Sequence, residues 1–240
     1  MTALVRLRGY LITNPLALII FTLFAVTGIV AGWFGSPGHW VARYYSRLLL
    51  WASGVSVETH GLDRVPGSGG FVLVANHRSF IDTPILIAYL PADFRFLAKA
   101  SLFRMPIVGG HLRRGGHIGV VREDARSAVK SIAQAAQLLQ SGRSVLLFAE
   151  GSRSTGGMRN FKGGAAHLAI KSGAALVPVA LSGTPEILPK GSVTIRSGKV
   201  RLYVGDPIAV SGMRPQDRDA LTAELQARVS GLLKETSGNQ

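Results

Sequence analysis

A histidine and an aspartate five residues apart, His77 and Asp82 in VANHRSFIDTP, follow directly from an apolar run that reads as a strand. Together they offer a general base and the carboxylate that orients it: the acid holds one ring nitrogen and leaves the other to take a proton. On one continuous helix the two would lie about 140° apart, so they meet only if a loop or a helix start intervenes. Thr83-Pro84 supplies that start, since proline is favoured at the first helical position and Asp82 or Thr83 can cap it. The same residues equally describe a plain loop followed by a capped helix. His77 leaves the carboxyl end of Phe71 to Ala75, where α/β sheets place their ligands. None of the other five histidines has an aspartate at this spacing.

Cations gather at neighbouring strand ends. LLFAEGSRST leaves a strand into Glu150-Gly151-Ser152-Arg153. A glycine with short polar residues and an arginine suits a turn whose N–H groups and guanidinium reach a phosphate, although a tight turn with a surface arginine fits the same letters. In FKGGAAHLAI, Lys162 and paired glycines open a helix whose amino end attracts anions, and Arg122 ends the run HIGVVR. The chain lacks a G-x-S-x-G elbow, a Walker loop, an H-E-x-x-H helix and a G-x-G-x-x-G fingerprint. With no cysteine and no serine elbow, the histidine is left to activate a substrate hydroxyl directly, without a covalent enzyme intermediate.

The elements that position these residues belong to a basic, greasy chain. Of 240 residues, 27 are Lys or Arg against 13 Asp or Glu, a net charge of +14 that draws the protein to something anionic. At 47% hydrophobic and a mean hydropathy of +0.28, with no long basic run and no aromatic-interleaved basic strand, it fits a membrane interface better than nucleic acid. Pro15 to Phe34 carry no charge over about 30 Å of helix, long enough to cross a bilayer core. Arginines on both flanks, Arg6 and Arg8 before and Arg43 and Arg47 after, favour instead a hairpin dipping into one leaflet, broken at Gly28, Gly32, Gly35 or Pro37. Trp40, Tyr44, Leu48 and Trp51, with Arg43 and Arg47 between them, recur as in an interfacial helix, or as in one that packs on the globular core.

Beyond Gly54 short β-rich runs alternate with helical ones, which predicts an α/β domain over 54–240 behind a membrane-associating helical segment over 1–53. Strands are predicted at Phe71 to Ala75, Phe94 to Ala98, Ile118 to Val121, Ser144 to Ala149 and Leu176 to Leu181, and helices at Pro84 to Tyr89, Asp124 to Gln140, Gly163 to Ser172 and Pro215 to Lys234. VTIRSGKVRLYVG reads as an edge hairpin turning at Ser197-Gly198, and GLDRVPGSGG as a turn-rich approach to the first strand.

Taken in order, the motifs resemble those of the PlsC-type glycerolipid acyltransferases: N-H-x-x-x-x-D at Asn76 to Asp82, G-x-I-x-x-x-R at Gly116 to Arg122, F-x-E-G-[ST]-R-S at Phe148 to Ser154, F-K-x-G at Phe161 to Gly164 and V-P-V-x-L at Val177 to Leu181. Ala149 replaces the family's usual proline and Ser152 its commoner threonine. The resemblance implies a mixed central sheet flanked by helices, with His77 as general base and Asp82 as its orienter. It implies transfer of a fatty acyl group from acyl-CoA or acyl-ACP, as co-substrate without cofactor or metal, to the hydroxyl of lysophosphatidate. Arg122, Glu150, Gly151, Ser152, Arg153 and Lys162 would bind the acceptor's phosphate and glycerol. The partners would be a membrane lysolipid and the membrane surface, and the location the cytoplasmic face of the inner membrane. Another lysolipid acceptor, such as lyso-ornithine lipid, or a non-catalytic basic membrane-surface protein, are the alternatives.

Overall fold

The computed structural model describes residues 9–31, 39–106, 108–121, 124–154 and 156–238. Seven strands form one mixed sheet in the order β1-β7-β6-β2-β5-β3-β4: β1 (Val55–His60), β2 (Val72–Ala75), β3 (Phe94–Lys99), β4 (Ile118–Val120), β5 (Ser144–Phe148), β6 (Leu176–Ser182) and β7 (Gly198–Val204). From β6 to β4 every neighbouring pair is parallel, so these five strands end at one edge. β7 runs antiparallel to β6 and parallel to β1. All four residues of β2 are fully buried because both faces of this central strand are covered. Val72 and Val74 join a core with Leu168, Leu225 and Val229, whereas Leu73 and Ala75 join one with Leu50, Ile85 and Leu86. The period-2 alternation of a strand thus feeds two cores, one on each side of the sheet.

The first core packs under α5 (Ala125–Gln140), α6 (Gly164–Ser172) and α8 (Arg218–Gly238). Asp124 caps α5, its carboxylate accepting the N–H groups of Arg126 and Ser127. On the other side lie α1 (Asn14–Ala31), α2 (His39–Ala52) and α3 (Asp82–Tyr89), while α4 (Val108–Arg114) and α7 (Thr184–Ile187) fill connections. Every predicted strand is present within a residue of its expected ends. The predicted hairpin is not: residues before Gly198 form no strand, and β7 lies one place in from the sheet edge, beside β1. β1 itself, VSVETH, escaped the sequence reading because a short outer strand with only Val55 fully buried carries little apolar signal. α4 was also missed, since VGGHLRR has two glycines. Gly109 is needed there, because a Cβ would come 2.2 Å from the carbonyl oxygen of Phe103.

The N-terminal helices differ from expectation in two ways. α1 runs unbroken through Gly28, while Gly32, Gly35 and Pro37 lie outside the described residues. Among the described residues no helix is long and apolar enough to cross a membrane. α1 packs beside α2, with Phe24 against Tyr45 at 5.5 Å and stacked on His111 of α4 at 4.3 Å. Leu11, Ile12, Leu18, Ile19, Phe21 and Leu23 stay exposed, as do Trp40, Tyr44 and Trp51 on α2. Arg43 and Arg47 turn inward rather than toward an interface. Arg43 donates to the carbonyls of Ile87, Leu90 and Ala92 at 3.3, 2.6 and 3.3 Å, and Arg47 to that of Ala88 at 3.1 Å. These oxygens at the end of α3 have no helical partner, and a cation there also complements the helix dipole.

Arg43→Ala is expected to lower the free energy of unfolding by about 2 to 3 kcal/mol through lost charged hydrogen bonds, with Arg43→Lys restoring under half, as measured by chemical denaturation.

Two imidazoles lie buried near this corner. His117 accepts the N–H of Phe96 on Nδ1 at 2.9 Å, and burial lowers its pKa from 6.5 to about 4. His39 lies 3.4 Å from Asp93, yet burial, helped by Arg43 and Arg95, outweighs that carboxylate and also lowers its pKa to about 4. Both stay neutral in the folded chain while the unfolded chain takes up protons, so stability falls as pH drops from 6.5 to about 4. Urea midpoints across this window are expected to decline, and His117→Asn, whose amide oxygen can replace Nδ1, to flatten the decline.

Candidate active site

His77 is the second residue beyond β2, at the edge where the five parallel strands end. Asn76 sets its starting point: the side chain donates to the carbonyl of Leu181 at 2.9 Å and accepts the N–H of Leu181 at 2.8 Å, adding a rung between β2 and β6. The loop then curls around one carboxylate oxygen. Asp82 Oδ2 accepts from the N–H groups of Arg78 and Ser79, both at 2.8 Å, and lies 2.8 Å from His77 Nδ1. Asp82 is therefore not the helix cap. It is the first residue of α3, and Ile81 precedes it without a capping side chain. Ser79 locks the turn, its hydroxyl donating to the carbonyl of Leu188 at 2.7 Å and accepting the N–H of Ile81 at 3.2 Å.

The Asp82 side chain is 1% exposed and that of His77 14%. A carboxylate so deeply buried is stabilised by its donors, and accepting the Nδ1 proton fixes the tautomer. Nε2 of His77 has no hydrogen-bond partner among the described residues. The imidazole lies flat on Phe148, the last residue of β5, at 3.8 Å and 14° between planes. Ring position is thus set on one edge by an acid and on one face by an aromatic.

Glu150 ties the second loop to the first. It is 3% exposed, and its oxygens accept the N–H of His77 at 2.7 Å and the N–H of Arg159 at 2.9 Å. Gly151 follows at φ 74, where the Lys162 side chain crosses it and a Cβ would come 3.1 Å from that chain. Left-handed backbone and close approach both call for glycine. Arg153 holds its guanidinium 3.4 Å from the Phe80 ring centroid, with Nη1 buried and unpartnered among the described residues. Ser152 Oγ accepts from Arg159 at 2.9 Å.

Residues 56–182, more than half of the chain, match the family model described as Acyltransferase. The chain belongs to the acyltransferase family. It is 36% identical over 71% of its length to a protein of Arabidopsis thaliana named as a chloroplastic 1-acyl-sn-glycerol-3-phosphate acyltransferase, of which it spans 48%. It is 30% identical to a Borreliella burgdorferi protein named 1-acyl-sn-glycerol-3-phosphate acyltransferase, over 76% of this chain and 74% of that one. The chain thus spans about half the length of the plant relative and most of the bacterial one. The crystal structure of the 1-acyl-sn-glycerophosphate (LPA) acyltransferase PlsC from Thermotoga maritima superposes with a TM-score of 0.81 at 25% identity, covering 97% of both chains.

Of the residues singled out from the sequence, His77, Asp82, Glu150, Gly151, Ser152, Arg153 and Lys162 form one continuous patch over the ends of β2 and β5. Arg122 lies outside the described residues. Glu150, expected to contact substrate, has both oxygens turned to backbone amides. Phe148, Phe80 and Arg159 belong to the same patch and were missed. Phe148 stood inside a quoted motif, but only strand order puts it under the histidine.

Glu150→Gln keeps one acceptor and sets an NH₂ group against an N–H. It is expected to cost about 2 kcal/mol of stability and at least tenfold in turnover together, read by denaturation and activity on the same preparation.

Proposed function

We propose that this acyltransferase moves a fatty acyl group from acyl-CoA or acyl-ACP to the free hydroxyl of lysophosphatidate, forming phosphatidate. The observation that carries the reading is the 2.8 Å contact between His77 Nδ1 and buried Asp82, which leaves Nε2 as a base beside a loop rich in cations. In the proposed reaction Nε2 takes the proton of the acceptor hydroxyl as its oxygen attacks the thioester carbonyl. The C–S bond then breaks, the thiolate receives the proton from His77, and the ester departs. Asp82 steadies the transient imidazolium. Arg153 and Lys162, with Arg122, neutralise a phosphate carrying one to two negative charges, and Gly151 lets the backbone come close.

The acceptor stays in a bilayer, which gives the exposed apolar side chains of α1 and α2 a joint purpose. Both helices lying in one leaflet, with the site at the cytoplasmic interface, would set these side chains in lipid beside the acceptor. The names of the relatives support lysophosphatidate over lyso-ornithine lipid. So does the charge, since three cations suit a phosphate and over-neutralise a head that carries an amine.

Purified protein in detergent, offered lysophosphatidate and lyso-ornithine lipid with each donor, is expected to prefer lysophosphatidate, and His77→Ala to lose 10² to 10⁴ in rate without losing its fold. Near-normal turnover by His77→Ala would overturn the base assignment. Strong acylation of lyso-ornithine lipid alone would overturn the acceptor.

A further inference from the structure

We propose that Arg159 determines acceptor specificity, as a further cation that reads the acceptor's phosphate; this rests on the lysophosphatidate reading above. Arg159 lies between the motif blocks that end at Ser154 and begin again at Phe161, so no motif names it. Its place in the fold is nevertheless tied to the base. One buried carboxylate, that of Glu150, accepts the N–H of His77 with one oxygen and the N–H of Arg159 with the other. The Arg159 backbone is held within one carboxylate's reach of the catalytic loop, and its side chain starts from that fixed point.

The side chain turns toward the same loop. Nη1 donates to Ser152 Oγ at 2.9 Å, and no carboxylate pairs with the guanidinium among the described residues. Of its five N–H donors the others remain for a ligand. By accepting from Arg159, Ser152 keeps its own hydroxyl proton to donate. Arg159 and Ser152 therefore form a ready pair of donors beside Gly151, with Lys162 crossing that glycine and the unpartnered Nη1 of Arg153 one residue on. The one acid of the loop, Glu150, has its oxygens turned away to amides. A phosphate monoester has three acceptor oxygens and matches this donor set; a neutral glycerol hydroxyl does not.

A clasp that merely held the loop would lower turnover on every acceptor alike. A phosphate reader changes the choice between acceptors. Wild type, Arg159→Gln and Arg159→Lys, each full length in detergent and checked for equal thermal midpoints, are compared on lysophosphatidate and on 1-acylglycerol, which lacks the phosphate. Arg159→Gln is expected to raise KM for lysophosphatidate about tenfold and to narrow its preference over 1-acylglycerol by the same factor, with Arg159→Lys recovering part of it. Binding of glycerol 3-phosphate, measured by calorimetry, is expected to weaken about tenfold in Arg159→Gln. If the wild type binds glycerol 3-phosphate and Arg159→Gln loses that binding while neither turns over lysophosphatidate, the acyl-transfer reading falls and the Arg159 assignment stands. Equal losses on both acceptors, or glycerol 3-phosphate binding that is unchanged in the variant or absent from the wild type, overturn the assignment.

Discussion

One oxygen of Asp82 organises the turn on which the site depends. A carboxylate with a 1% exposed side chain is strongly destabilised unless donors surround it, and here two backbone amides and an imidazole converge on Oδ2. Meeting that demand makes the chain curl tightly from β2 into α3, and the curl is what presents His77 at the sheet edge. The other carboxylate oxygen is buried without a partner among the described residues, so removing any one of the three donors would leave the charge poorly satisfied. The His77 ring is oriented by the same contacts that make the turn stable.

Glu150 does for the second loop what Asp82 does for the first. It also accepts two backbone amides, but they come from different segments, His77 and Arg159, and so it fixes the spacing between the histidine and the cationic loop. Both buried acids face backbone and imidazole, leaving Arg153 and Arg159 without acidic partners among the described residues. In a chain of net charge +14 this local imbalance of charge favours an anion.

Arg43 and Arg47 extend the same logic to the N-terminal helices. They donate to the carbonyls at the far end of α3, whose first residue is Asp82. A single short helix thus has its amino end at His77 and its carboxyl end held by α2, whose outer face exposes Trp40, Tyr44 and Trp51. The apolar helix α2 and the loop at His77 are thus joined through α3 by part-buried hydrogen bonds.

The five parallel strands, the longer helices of the α/β domain and the His77–Asp82 pair were legible in the sequence because each depends on local periods or on residues a few positions apart. Buried strands read as apolar runs, α5 as a helical period, and a histidine after a strand as a residue at a sheet edge. What only the tertiary structure decided involves groups far apart in the chain: β1 beside β7, Phe148 beneath His77, Glu150 bridging to Arg159, and Arg43 reaching the end of α3. Each partner's residue type permits many roles. Spacing left Arg43 on a helix that could face an interface or the core, and the resemblance made Glu150 a substrate contact. Burial decided both, because a carbonyl or a carboxylate removed from water must find its donor wherever the fold brings one.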